Sequence, residues 1–180
     1  MSNKINKKII IPDRESRKMI FSSLPESGEK IDTADLEAAI MVFETSEKIQ
    51  NALHLHFSRY GFTQARFIVL LTMLAGKNGQ YSPLELAERI GVRPPTMTGI
   101  LDGLVKEGFI ERIADASDRR RVNLSLTPKG KKKITAAMPD HFKKISSAFG
   151  NLQKRKNLEM LKEITAEINS SLLLLTESLP

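Results

Sequence analysis

The sequence predicts a mainly α-helical chain with one small β-hairpin, organised as a winged helix-turn-helix framed by longer helices from both ends. Three observations carry that prediction. Residues 82–90 and 94–107 read as two short helices separated by the tight turn Gly91-Val92. Residues 109–126 follow as two short strands joined by a polar, basic loop. The longer helices on either side carry apolar stripes that the small central unit is too small to cover.

The first 31 residues hold Pro12, Pro25, Gly28 and scattered serines without a sustained period, and read as an N-terminal extension. A flexible tail, a basic arm reaching a polyanion and a segment packing on a partner subunit all fit that composition. Met19-Ile20-Phe21 offers a short piece that could dock. Asp32-Thr33 then caps a helix expected to run to about Arg59, with Leu36, Ile40, Phe43, Ile49, Leu53 and Phe57 on a wide apolar face. His54 and His56 are two apart, point to different sides of that helix, and cannot share one ion. Thr63 caps a second helix that turns Phe67, Leu70, Leu71 and Leu74 inward and ends at Gly76. A loop through Gln80 leads to the central unit.

There, Ser82 is an N-cap, Pro83 suits the first helical position, and Glu85 three residues on completes a capping box. Leu84, Ala87 and Ile90 are the expected inward residues, and Gly91 ends the helix through a positive φ. Pro94 and Pro95 fit only the first turn of the next helix, where no intrahelical donor is lost. Met97, Ile100, Leu101 and Leu104 form its apolar stripe, Thr96, Thr98, Gly99 and Asp102 lie on other faces, and Gly108 closes it. In the second strand Val122, Leu124 and Leu126 alternate with Asn123 and Ser125. The joining loop carries Asp118, Arg119, Arg120 and Arg121. Arginine suits such a tip, because its planar, permanently charged guanidinium can enter a narrow groove or clamp phosphates. Asp118 beside three arginines orients one of them through a paired contact. A solvated turn with local ion pairs is the plainer reading of the same residues.

Thr127-Pro128 starts a further helix that carries Ile134, Ala137, Met138, Phe142, Ile145 and Phe149, expected to kink or break at Pro139. Lys129, Lys131, Lys132 and Lys133 in its first turns are a solvated face or a source of weak attraction to a polyanion. After Gly150-Asn151, a last helix over about residues 152–176 carries Leu158, Leu161, Ile164, Ile168, Leu172 and Leu175. That stripe, with the distal part of the first long helix, suits a homodimer interface. Met41, Met73 and Met138 are read as core filler.

Composition narrows the chemistry. Of a net charge of +7, residues 93–133 contribute ten Lys/Arg against five Asp/Glu, and residues 1–31 seven against four. Positive charge therefore gathers on the central unit and the extension, as a polyanion binder requires. With no cysteine there is no disulfide, thiolate metal site or thiol switch, and three histidines alone make no metal centre. No nucleophile elbow, phosphate loop or dinucleotide fingerprint is present, so neither catalysis nor a cofactor is expected. The N-terminal Ile9-Ile10-Ile11 run is too short for a signal peptide or a membrane span, and the expectation is a soluble, cytoplasmic protein.

From about Leu36 to Leu175 the chain resembles the MarR family, the multiple-antibiotic-resistance type of bacterial regulator. The resemblance rests on Phe62-Thr63-Gln64, on Ser82-Pro83-Leu84-Glu85-Leu86-Ala87 through Val92, and on Thr96-Met97-Thr98 with Leu101-Asp102-Gly103-Leu104. Gly108-Phe109-Ile110-Glu111-Arg112 and Asp118-Arg119-Arg120 leading into Leu124-Ser125-Leu126-Thr127-Pro128 complete it. It implies a homodimer with residues 32–60 and 127–180 as the helical dimerisation region and 61–126 as the DNA-binding unit. It also implies sequence-specific binding of a palindromic duplex operator, usually to repress, and release by a small anionic or aromatic ligand. On that resemblance the helix at 94–107 enters the major groove, with Ser82, Arg93, Pro94, Pro95, Thr96 and Thr98 meeting DNA. Arg120 enters the minor groove, Asp118 orients it, and Arg119 and Arg121 take phosphates. Ligand candidates at the junction of the two regions are Phe57, Phe62, Arg66, Phe67 and His141. Where the family often has a basic residue in this helix, the chain has Gly99.

Overall fold

A computed structural model describes residues 10–23, 32–76, 80–114 and 122–172, with the side chain of Arg155 left aside. Among the described residues, seven α-helices and three strands run in the order α1 (Arg14–Ser22), α2 (Thr33–Ser58), α3 (Gln64–Ala75), β1 (Gln80–Tyr81), α4 (Pro83–Ile90), α5 (Pro94–Lys106), β2 (Ile110–Ala114), β3 (Val122–Leu126), α6 (Pro128–Phe149) and α7 (Arg155–Ser171). A 3-10 turn, Gly150–Gln153, joins α6 to α7.

Local chemistry sets most of these boundaries. Asp32, Thr63, Ser82 and Thr127 each accept an amide of the first turn of the helix they precede. Gly91 and Gly108 stop α4 and α5 at φ values of 72° and 73°. In that left-handed region glycine avoids the Cβ penalty, and the Val92 and Phe109 amides fold back onto the carbonyls of Ala87 and Leu104.

Several expectations are corrected. Asp13 caps α1 within the N-terminal extension, and Arg17 of that helix reaches Glu44 of α2 at 2.7 Å. The capping box at Ser82 is half formed: Ser82 Oγ accepts the Glu85 amide, but the Glu85 carboxylate pairs with Arg89 at 3.0 Å. On α4 it is Leu86 that is buried, while Leu84 stands exposed. The loop before α4 contributes the short strand β1, which pairs antiparallel with β3 in a sheet of order β1-β3-β2. The helix α6 runs through Pro139 without a break, with Ile134 and Ala137 buried before it and His141 after it. Met41 is exposed rather than core, whereas Met73 is buried.

The core lies in the lobe built from α3, α4, α5, the sheet and the root of α6. Phe67, Leu70, Met73, Leu86, Met97, Leu101, Leu104, Ile110, Leu124 and Ile134 are sealed from solvent there. The hairpin pairs in the register Ile110↔Leu126 through Ala114↔Val122, and β2 packs on α5. By contrast, Met41, Val42, Phe43 and Ile49 of α2 and Leu158, Met160, Leu161 and Ile164 of α7 remain exposed. Among the described residues no helix is long and apolar enough to cross a membrane.

Candidate nucleic-acid interface

The helix α5 presents two unlike faces. Met97, Leu101 and Leu104 are buried against the lobe, while Arg93, Pro94, Pro95, Thr96, Thr98, Gly99 and Asp102 face solvent. No side chain caps its start. Since Pro94 and Pro95 carry no amide hydrogen and the Met97 amide bonds Arg93 O at 3.1 Å, Thr96 is the first-turn residue with an amide free to offer an anion. The helix dipole adds positive potential at this end. Thr98 Oγ donates to Pro94 O at 3.1 Å, so its oxygen lone pairs, and not its proton, are directed at a ligand. A Cβ added at Gly99 would meet nothing within 4 Å, which leaves this flank open for close approach of another backbone.

Ser82 lies nearby at the start of α4, its hydroxyl engaged as the cap. Asp118, Arg119, Arg120 and Arg121 lie outside the described residues. Two further basic groups are fixed at the base of the hairpin: Lys129, which the sequence offered as a weakly attracting charge, and Arg112, whose role it did not show. Arg112 on β2 donates to Asp102 on α5 at 2.6 Å, pinning the hairpin to the helix and neutralising a carboxylate on its exposed face. Lys129 donates to Glu107 O at 2.7 Å across the end of α5 and sits over the Phe109 ring. Asp102 and Arg112 are ten residues apart on different elements, a spacing with no periodic signature, so only the pairing of α5 with β2 brings them together.

Four of the five ligand candidates, Phe57, Phe62, Phe67 and His141, come together as a packed junction, and Arg66 turns toward the end of α5. Phe57, Phe62 and Phe67 are 2%, 4% and 0% exposed, and the Phe67 ring lies 5.0 Å from Phe57 and 4.6 Å from His141. Arg66 passes over Gly103, where a Cβ would lie 2.2 Å from its Nη2, and pairs with Glu107. Its charge is thus spent on clamping α3 to the end of α5. Among the described residues no group of three or more His, Asp or Glu side chains could hold a metal ion.

A helix-turn-helix with an exposed, positively poised second helix and an adjoining basic hairpin defines a winged-helix DNA-binding protein. Comparison with known proteins gives the particular family. The MarR family model matches residues 63–122. The repressor YetL of Bacillus subtilis is 34% identical over 126 residues, spanning 70% of this chain and 75% of YetL. AbsC, a MarR family transcriptional regulator from Streptomyces coelicolor, superposes with a TM-score of 0.69 at 16% identity, covering 81% of this chain and 98% of AbsC. A mutant MarR from E. coli complexed with operator DNA gives a TM-score of 0.62 at 19% identity, covering 78% and 99%. The chain belongs to the MarR family and is a DNA-binding transcriptional regulator.

Proposed function

We propose that the protein is a homodimeric, cytoplasmic repressor that reads a palindromic operator, with no enzymatic activity of its own. The observation that carries this reading is the exposed start of α5, with its capless turn and open Gly99 flank beside a hairpin locked to it by Arg112–Asp102. The repressor direction follows the similarity to YetL. Residues 61–126 act as the reading unit, residues 32–60 and 127–180 as the dimerisation region, and residues 1–31 as an extension. In the major groove Pro94 and Pro95 meet thymine methyl groups, and Thr96 and Thr98 meet base edges or phosphates. Ser82 and Arg93 contact the backbone. In the hairpin loop Arg120 enters the minor groove, oriented by Asp118, and Arg119 and Arg121 take phosphates. A two-fold dimer then spans half-sites about 10 bp apart, or a near multiple of that. A small anionic or aromatic effector acts at the junction of Phe57, Phe62, Phe67 and His141, where its acid group competes with Glu107 for Arg66.

The test is selection of bound sequences from random duplex DNA, followed by titration of the recovered site. The expected product is a palindrome, with affinity falling steeply as salt rises because phosphate contacts release counterions. Arg120→Ala should weaken binding at least tenfold, about 1.4 kcal/mol, while the dimer stays folded. Unchanged affinity in that variant would remove the minor-groove assignment. Equal competition by unrelated duplexes would instead favour non-specific binding.

A further inference from the structure

Two polar side chains are buried among the described residues, and they bond each other. His56 of α2 and His141 of α6, 9% and 7% exposed, meet through Nε2 and Nδ1 at 2.9 Å. Between two neutral imidazoles such a contact needs one nitrogen protonated and the other bare. A single hydrogen therefore joins helices whose histidines are 85 residues apart in sequence.

The surroundings make a second proton costly. Phe57 of α2, Tyr60 just beyond its end, Phe142 of α6 and Phe67 of α3 crowd the two rings, the nearest being Phe67, 4.6 Å from His141. The ionisable groups facing the pair are Arg59 and Tyr60 from the turn after α2 and Asp140 and Lys144 from α6, with Lys48 of α2 lining the same cavity as His56 and Lys144; α3 presents the uncharged Phe67. Asp140, the one anion, is already shared between the Tyr60 hydroxyl at 2.5 Å and Lys144 at 2.7 Å. Tyr60 itself stays a neutral donor, its phenol pushed up to about 12 by burial first and by Asp140 second. Burial chiefly, then the Lys144 charge, holds His56 below the ordinary imidazole value of 6.5; burial, then His56, does the same for His141. Phe67 belongs to the first helix of the reading lobe, so the pair stands where the apical helices are rooted in that lobe.

We propose that the His56–His141 pair is an acid-operated joint: the shared proton holds α2 to α6, and once both rings are protonated two N–H groups and two charges face each other and loosen the lobe's attachment, lowering affinity for the operator. The direction is diagnostic. Acidification makes the protein more cationic and by itself strengthens non-specific attraction to DNA. A joint that opens in acid weakens specific binding against that trend. The first added proton leaves the N–H···N bond intact, its charge favoured by the Asp140 carboxylate; the second removes the accepting nitrogen.

The experiment uses the full-length protein and its selected operator at constant ionic strength. From pH 7.5 to 5.5 the wild-type affinity should fall about tenfold, the equivalent of one pKa unit of linkage. His141→Gln, which can still bond His56 but not titrate, and the double variant His56→Gln/His141→Gln should bind with level or rising affinity over the same range. Equal slopes in wild type and both variants would overturn the proposal. Should the variants fold poorly, imidazole NMR of the wild type decides it alone. The two buried rings should keep their neutral shifts to below the ordinary imidazole value of 6.5, with a slowly exchanging ring N–H between them; both rings titrating at that value would sink it. A change in affinity on adding zinc at pH 7.5 would also overturn it, since the facing nitrogens would then be acting as metal ligands.

Discussion

At the scale of single residues, the strongest constraint is at Gly130. A Cβ built there would lie 2.0 Å from the carbonyl oxygen of Phe109. That carbonyl also accepts the Thr127 amide at 3.1 Å, so the start of α6 is pressed directly onto the backbone entering β2. Backbone cannot swing aside as a long side chain can. Gly130→Ala should therefore destabilise the protein by about 1–3 kcal/mol, the usual cost of overpacking, read as a lower urea midpoint at unchanged slope. Gly99→Ala is its control: the site is open and helical, and the substitution should be neutral or stabilise by up to about 1 kcal/mol. The reverse ranking would mean that the first turn of α6 stands clear of β2. Glycine roles divide the same way in legibility. Gly91 and Gly108 were readable because each follows the last residue of an apolar helical stripe. Gly130 reads as an ordinary early helix residue, since its requirement comes from a carbonyl 21 positions away.

At the scale of elements, what the sequence revealed was what neighbours in sequence decide. Asp32, Thr63, Ser82 and Thr127 were each recognisable as caps because a hydroxyl or carboxylate acts on an amide two or three residues ahead. The strand β1 was not recognisable. Two residues carry no alternation, and Gln80 and Tyr81 become a strand only through Ser125 and Leu124 of β3. The phase of α4 was misread for a related reason: over eight residues, Leu84, Ala87 and Ile90 and the true inward set of Leu86, Ala87 and Ile90 are both helical patterns. In the candidate interface the exposed start of α5 was legible from its double proline. The Arg112–Asp102 lock and the His56–His141 bond were not, being made between elements distant in the chain. Thr127 tests the local kind of information. Its Oγ accepts the Gly130 amide at 3.0 Å and donates to Gly108 O at 2.7 Å, so one hydroxyl both caps α6 and ties it to the end of α5. Thr127→Ala should cost about 1–2 kcal/mol, and Thr127→Ser should recover most of it. Equal stability of the alanine and serine forms would show that the hydroxyl is dispensable.

At the scale of the whole molecule, the lobe is self-sufficient and the apex is not. Within its own chain α7 packs mainly against the Gly150–Gln153 turn, leaving Leu158, Met160, Leu161 and Ile164 exposed. A helix of 17 residues with that little support is marginal in water, since its stability must come from burying an apolar face. The distal part of α2 has the same deficit at Met41, Val42, Phe43 and Ile49. Among the described residues α1 lies against part of it, through Arg17–Glu44, and α6 flanks Ile49 across an open cavity. A second copy supplies both missing partners at once under a two-fold axis, because each copy presents both apolar helices. Replacing Leu161 and Ile164 together by aspartate puts two charges, a turn apart, into that face. Sedimentation velocity should then give the mass of one chain where the wild type gives two. Far-ultraviolet circular dichroism should keep the lobe's helical signal with a reduced total, as α7 loses its support. Operator affinity should fall more steeply than for any single substitution on α5, because a monomer must bind each half-site without the gain in effective concentration that a linked pair provides. A dimer of unchanged mass would mean that α7 is covered from elsewhere in its own chain, and that the apex is not built by the pairing of chain ends.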